Sequence, residues 1–130
     1  MNITIDTSAI IAVVGNEKSK PRLVEVTTGH TLIAPISVHW EIGNALSAML
    51  KRNRISLRQA RSCIHAYQQI PIKFIDVDLT QALDMSARFS LYAYDAYLLI
   101  CASQANSPLL TLDKGLKSAA ADSGIITLEV

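Results

Sequence analysis

The sequence predicts an α/β fold: an α/β/α sandwich around a central parallel sheet of about five strands, ordered 3-2-1-4-5. Three observations carry this. Short apolar runs rich in Ile, Leu and Val alternate along the chain with segments of helical periodicity, the pattern of a parallel sheet covered on both faces. Two helical segments separate the third strand from the fourth, a connection long enough to return past the first strand. The chain has 130 residues, half of them apolar and 18% charged, which excludes a disordered chain and supports one core in a single domain, residues 1–130.

The elements follow in order. Asn2 to Ile5 is the first strand. Asp6-Thr7-Ser8 starts a short helix to about Val14, stopped by Gly15 and Asn16. A second helix runs from about Lys20 to Thr28, with Pro21 in its first turn and Gly29 behind it. Thr31 to Ala34 is the second strand, closed by Pro35. Ser37 reads as the N-cap of a third helix to about Arg52, carried by Ile42, Ala45, Leu46, Met49 and Leu50. Ser56 caps a fourth helix through about Gln69, and Pro71 precedes the third strand, Ile72 to Ile75. Helices over about Leu79 to Phe89 and Tyr94 to Ala105 come next. Leu109 to Leu112 is the fourth strand, a short helix follows Asp113, and Ile125 to Leu128 is the fifth strand.

Composition removes several function classes. Net charge is +1, which by itself points neither toward nor away from nucleic acid. Two cysteines, Cys63 and Cys101, with no CxxC pattern, exclude a disulfide scaffold and a zinc finger. His39-x-Glu41 lacks the P-C-x-x-C that a zinc deaminase needs. No secretory signal is visible and no apolar run is long enough for a membrane span, so a cytoplasmic chain is expected. Mean hydropathy is +0.28, so either the core is rich or a partner covers an apolar face, with the third, fourth and sixth helices as the expected dimer face.

The acids carry the functional reading. Asp6 ends the first strand and Asp113 the fourth, so both border the predicted switch-point crevice at the carboxyl edge of the sheet. Glu41 lies in the first turns of the helix leaving the second strand, and Asp95 opens the helix feeding the fourth. Four carboxylates thus converge from distant parts of the chain. Asp76 and Asp78 follow the third strand, about 9.5 Å from the first, and are left out. Asp is also a favoured N-cap, so capping is the competing account of Asp6, Asp95 and Asp113, and a snorkelling side chain that of Glu41.

Two carboxylates about 4 Å apart repel by about 4 kcal/mol at an effective dielectric of 20. Several such pairs require either protonation or a cation. An all-oxygen site suits Mg²⁺ or Mn²⁺ rather than Zn²⁺. Such an ion lowers the pKa of a water it binds and stabilises charge on a phosphate, which makes a phosphodiester the natural substrate. Ser8 and Thr111 are placed to hold the acids by hydrogen bonds, or to serve local turns. Lys51, Arg52, Arg54, Arg58 and Arg61 form a basic corner between the third and fourth helices, read either as an RNA backbone contact or as a solvated corner.

Asp6-Thr7-Ser8 after an apolar strand, Glu41 in a helix, Tyr94-Asp95-Ala96 and Leu110-Thr111-Leu112-Asp113 resemble the PIN-domain signature over nearly the whole chain, in the manner of VapC-type toxin ribonucleases. The resemblance implies a PIN-like fold and a Mg²⁺- or Mn²⁺-dependent endoribonuclease. It also implies tRNA or ribosomal RNA as substrate, a homodimer, and a cognate antitoxin that blocks the acidic groove. By that resemblance Asp6, Glu41, Asp95 and Asp113 match the four acidic positions, and Ser8 and Thr111 the accompanying hydroxyls. Two other functions compete: a non-catalytic binding module that keeps the acids for a structural metal or a basic peptide, and a phosphoryl-transfer protein using Asp6 as nucleophile. The last lacks an Asp-x-Asp motif and a P-loop.

Overall fold

β1 (Asn2–Ile5) occupies an inner position of a four-stranded parallel sheet and sets the site beyond its end. The computed structural model describes residues 1–130. β1 pairs with β2 (Thr31–Pro35) on one side and β4 (Leu109–Leu110) on the other, and β3 (Ile72–Ile75) lies outside β2. The order is β3-β2-β1-β4, as expected for those four.

The fifth strand is the correction. Its segment meets β4 at a single parallel bridge, Leu109 to Thr127, made by Leu109 N–H to the Ile126 carbonyl at 2.8 Å and Leu128 N–H to the Leu109 carbonyl at 2.9 Å. The cause is the shortness of β4, which stops at Leu110 rather than Leu112. The Leu112 N–H donates to Ser8 Oγ and the Asp113 N–H to Thr111 Oγ1, each at 3.0 Å. Side chains take those donors, the ladder cannot lengthen, and a two-residue strand offers little edge.

Seven helices complete the layers: α1 (Thr7–Val14), α2 (Lys20–Thr27), α3 (Ser37–Lys51), α4 (Leu57–Gln68), α5 (Leu79–Phe89), α6 (Ala93–Ala105) and α7 (Lys114–Asp122). Ser37 does not cap α3. Ile36 is already helical (φ −60°, ψ −23°), so Ser37 is the first helical residue and its hydroxyl is buried without a partner. An N-cap needs extended backbone, which this tight exit from β2 does not provide. Ser56 does cap α4, in a reciprocal box with Gln59. Ser56→Ala is expected to lower stability by about 1 kcal/mol in chemical denaturation, with no change in the denaturant slope.

The core is aliphatic, as the scarcity of aromatics requires: Ile3, Ile10, Leu23, Ile42, Leu99, Leu109 and Leu116 are fully or almost fully buried, and among the aromatics only Tyr67 is. α6 is apolar on every side, and Ala96 and Leu98 to Ala102 are buried within this single chain. It therefore leaves little surface for the dimer contact expected of it. Large apolar side chains are exposed on or beside α3 (Ile36, Trp40), on α4 (Leu57) and on α5 (Leu79, Leu83), whereas at α6 the exposed ones are Tyr92 and Tyr94 at its start. No helix is long and apolar enough to cross a membrane.

Candidate active site

The parallel register brings the ends of β1 and β4 together: Ile5 pairs with Leu110, and the Asp6 N–H donates to the Leu110 carbonyl at 3.2 Å. Asp6 and Thr111 follow directly, so their side chains meet. Asp6 is 4% exposed. Its Oδ1 accepts the Ala9 N–H at 3.0 Å, which caps α1, and the Ser8 hydroxyl at 2.8 Å. The Thr111 hydroxyl donates to Oδ2. Ser8 Oγ in turn receives the Leu112 N–H, so the two hydroxyls tie the start of α1 to the end of β4 around one carboxylate. Burial nonetheless pushes the Asp6 carboxyl above its ordinary range; these hydrogen bonds offset part of that rise, and the Asp113 charge adds to it.

Asp113 caps α7, its Oδ1 accepting the Gly115 N–H at 2.8 Å and the Leu116 N–H at 3.3 Å. A Cβ at Gly115 would stand 3.3 Å from that oxygen, so a small residue belongs there. Asp95 is the third residue of α6 and makes no cap bond, which removes the capping account for it. It is half-buried, and burial first, then the Asp113 charge, raise its pKa. Glu41, one turn into α3, is held up at about 7, chiefly by burial, then by the charges of Asp6 and Asp95. Its Oε2 is buried with no hydrogen-bond partner. The Thr7 hydroxyl, also without a well-formed partner, faces this carboxyl and lowers its pKa slightly.

The electrostatic couplings close into a ring: Asp6 with Asp113, Asp113 with Asp95, Asp95 with Glu41, and Glu41 with Asp6. The structure thus brings all four sequence-selected acids near enough for their charges to act on one another, with Ser8 and Thr111 bonded to Asp6. No basic side chain compensates them, since the single ion pair of the chain is Arg22 with Glu25 on α2. As the side chains stand, no three His, Cys, Asp or Glu groups are placed to hold an ion between them. The donor set still fits a hard cation that keeps most of its own waters and touches few carboxylates directly, as Mg²⁺ does. The buried, unpartnered Glu41 Oε2 is the observation that asks for such a counter-charge.

Other candidates fall elsewhere. Asp78 caps α5 through the Gln81 N–H, and both Asp76 and Asp78 are exposed and stand outside the ring. His39 Nδ1 bonds the Tyr67 hydroxyl at 2.9 Å, so it is not turned to a shared metal with Glu41. Cys101 is buried, and its thiol, pushed up by burial, packs near Thr4. The largest cavity, about 430 Å³, lies at the opposite sheet edge beside Met1, Ser107 and Pro108. Lys51 is about 15 Å along the α3 axis from Glu41, so the basic corner is separated from the acids within one chain. Thr7 and Gly115 were missed by sequence reasoning; their position beside Asp6 and Asp113 was the only available signal.

Ser8 is the most direct test of the hydrogen-bonded support. Ser8→Ala removes one donor to Asp6 and the acceptor for the Leu112 N–H. Any activity that depends on the Asp6 carboxylate is expected to fall about 10- to 100-fold, as where a group that orients a functional carboxylate is removed, with Ser8→Thr retaining more.

A family model described as PIN domain matches residues 3–122. No curated protein matches the chain by sequence. Among solved structures, PAE2754 from Pyrobaculum aerophilum is similar at 20% identity and a TM-score of 0.74, over 98% of this chain and 83% of that one. VapC20 of Mycobacterium tuberculosis, described as a sarcin-ricin loop cleaving toxin, is similar at 11% identity and a TM-score of 0.67, over 98% and 99% of the two chains. A chain of a toxin–antitoxin complex from Klebsiella pneumoniae gives 16% and 0.68 over the same shares. These likenesses establish the fold.

Proposed function

Since the chain belongs to the PIN-domain family, we propose that it is a Mg²⁺- or Mn²⁺-dependent endoribonuclease, the toxin of a toxin–antitoxin pair. The observation that carries this is the ring of four carboxylates with no basic partner, one of them held at about pH 7. Asp6, Glu41, Asp95 and Asp113 would hold the cation. When bound, the cation neutralises the crevice toward a polyanion, activates water and stabilises charge on the phosphate.

The chain's own groups do the rest. Ser8, Thr111 and the Ala9 N–H fix the Asp6 carboxylate in one orientation before substrate arrives. Asp113 is fixed likewise by the start of α7. Glu41 either binds the cation or orients the attacking water, and a carboxyl near pH 7 is matched to taking a proton from it. Asp95, in the first turn of α6, is disfavoured as a carboxylate by burial and by the Asp113 charge, so a cation bound beside it would be favoured by its ionised form.

The partners follow as part of this reading: an RNA substrate of the tRNA or ribosomal RNA class, a cognate antitoxin, a homodimer, and a cytoplasmic setting. VapC20, described as a sarcin-ricin loop cleaving toxin, and the Klebsiella toxin–antitoxin complex support the RNA substrate and the antitoxin by likeness of fold. Cleavage of total cellular RNA by the purified, partner-free protein is the test. Discrete cuts with Mg²⁺ or Mn²⁺ that EDTA abolishes support the nuclease, and intact RNA under all conditions rejects it.

A second reading, a PIN-like module that binds without cutting, rests on one observation: no three acidic side chains are placed to enclose an ion. An Asp6 nucleophile finds no support, because that carboxylate is buried with both oxygens hydrogen-bonded.

A further inference from the structure

Tyr92 breaks two local rules at once. It is the N-cap of α6, a position that favours Ser, Thr, Asp or Asn, and its side chain makes no cap bond. Of the other helices, α1, α4, α5 and α7 are capped by Asp6, Ser56, Asp78 and Asp113, while α2 and α3 also start without a side-chain cap bond but with a far less exposed apolar residue, Ile36, at the α3 cap. Tyr92 is also 87% exposed, more than any other large apolar or aromatic side chain of the molecule. Nothing in the fold is gained by either departure, and such departures concentrate at functional positions.

The neighbourhood says which function. Tyr92 is followed three residues later by Asp95, and N-cap and N3 side chains stand next to each other at a helix start. Asp95 belongs to the carboxylate ring. The next aromatic, Tyr94, is held edge-on by Tyr97 with ring centroids 6.0 Å apart. Trp40, beside Glu41 and 68% exposed, is likewise held edge-on by His39 at 4.8 Å. Of these three, only Tyr92 has no ring against it. Its backbone is nonetheless fixed, because α5 ends at Ser90 in the left-handed conformation and α6 begins at Ala93. The ring thus has a fixed root and free faces at the helix start that carries Asp95.

We propose that Tyr92 is a stacking platform for an unpaired nucleobase next to the phosphate that the carboxylate ring addresses. This rests on the ribonuclease reading and adds a requirement to it: the base beside the cut must be free to leave a helical stack. Every base has a π-face, so the platform supplies affinity and position more than sequence choice. An interface with another protein is the competing use of an exposed tyrosine and is decided by the same experiment.

The test uses the full chain in an Asp6→Asn background, so that the probe survives. The probes are an oligouridylate of about 12 nucleotides and an abasic ribose-phosphate chain of equal length. Tyr92→Leu is expected to weaken oligouridylate binding about 5- to 100-fold, and Tyr92→Phe to stay within about twofold of the parent. The abasic chain binds all three equally and weakly.

In the otherwise wild-type chain, Tyr92→Leu raises KM for RNA cleavage and leaves kcat in place. Several results overturn the platform: a parent that does not distinguish the two probes, a Tyr92→Leu variant that binds and cleaves like the parent, or one that changes only the oligomeric mass. Where total RNA is still cut in those cases, the nuclease reading stands without the platform. Tyr92-dependent binding by a chain that cuts no RNA keeps the platform and removes the nuclease.

Discussion

Asp6→Asn is expected to reduce metal-dependent RNA cleavage by more than about 100-fold, beyond the loss typical of a residue that merely orients a ligand. The fold should survive. Asn is itself a good N-cap, and its Oδ1 still accepts the Ala9 N–H that starts α1. Its amide nitrogen replaces a carboxylate oxygen as a donor, and the Ser8 and Thr111 hydroxyls can each turn to accept. Burial already disfavours the charge of Asp6, so losing that charge relieves a cost while the cap is kept. Circular dichroism and a thermal melt within about 1 kcal/mol of the parent check the fold. Cleavage of total RNA checks the site. Retained cleavage would falsify the carboxylate mechanism and assign the cutting to a contaminating nuclease, which leaves the binding module as the better reading of the chain.

The second expected result is a stability that falls as pH rises in the absence of divalent cations. Glu41 has a folded-state pKa of about 7 against an unfolded value of 4.5. Between those values the folded chain binds more protons than the unfolded one, so raising the pH disfavours folding, and the loss is complete above about 7. Asp6 and Asp95, also raised, act in the same direction. Discounted for a half-exposed side chain, the Glu41 shift is worth about 1–2 kcal/mol, or about 3–8 °C in Tm for a domain of this size. Thermal melts from pH 5 to pH 8 in EDTA should show that decline, and Glu41→Gln should flatten it. Added Mg²⁺ should restore stability at pH 8 with release of protons, since a cation favours the ionised carboxyls. A melting temperature that rises toward pH 8 in EDTA would contradict the crowding of acids on which the site depends.

Much of this was legible before any coordinates. The runs Asn2 to Ile5 and Ile72 to Ile75 have the same bounds in sequence and structure, because each is a short run rich in β-branched residues, bounded by Asp6 at the end of the first and by Pro71 and Asp76 around the second. The acids were found because each sits beside a strand end or a helix start, and topology carries those positions to one edge. Ser37 and the end of β4 were misread for a shared reason. The backbone is already helical at Ile36, before Ser37, and the Leu112 N–H is taken by Ser8 from far along the chain; local propensity holds no record of either.

The sequence by itself determined the class of fold, the order β3-β2-β1-β4 and the four acids at its carboxyl edge, since periodicity, connection length and residue type are properties of the chain. The tertiary structure decided the rest. It showed that Ser8 and Thr111 hold Asp6, that β4 is too short to carry a full fifth strand, and that Glu41 is poised near neutrality with an unpartnered oxygen. Those properties come from burial and from charges brought close in space, and neither exists until the chain has folded.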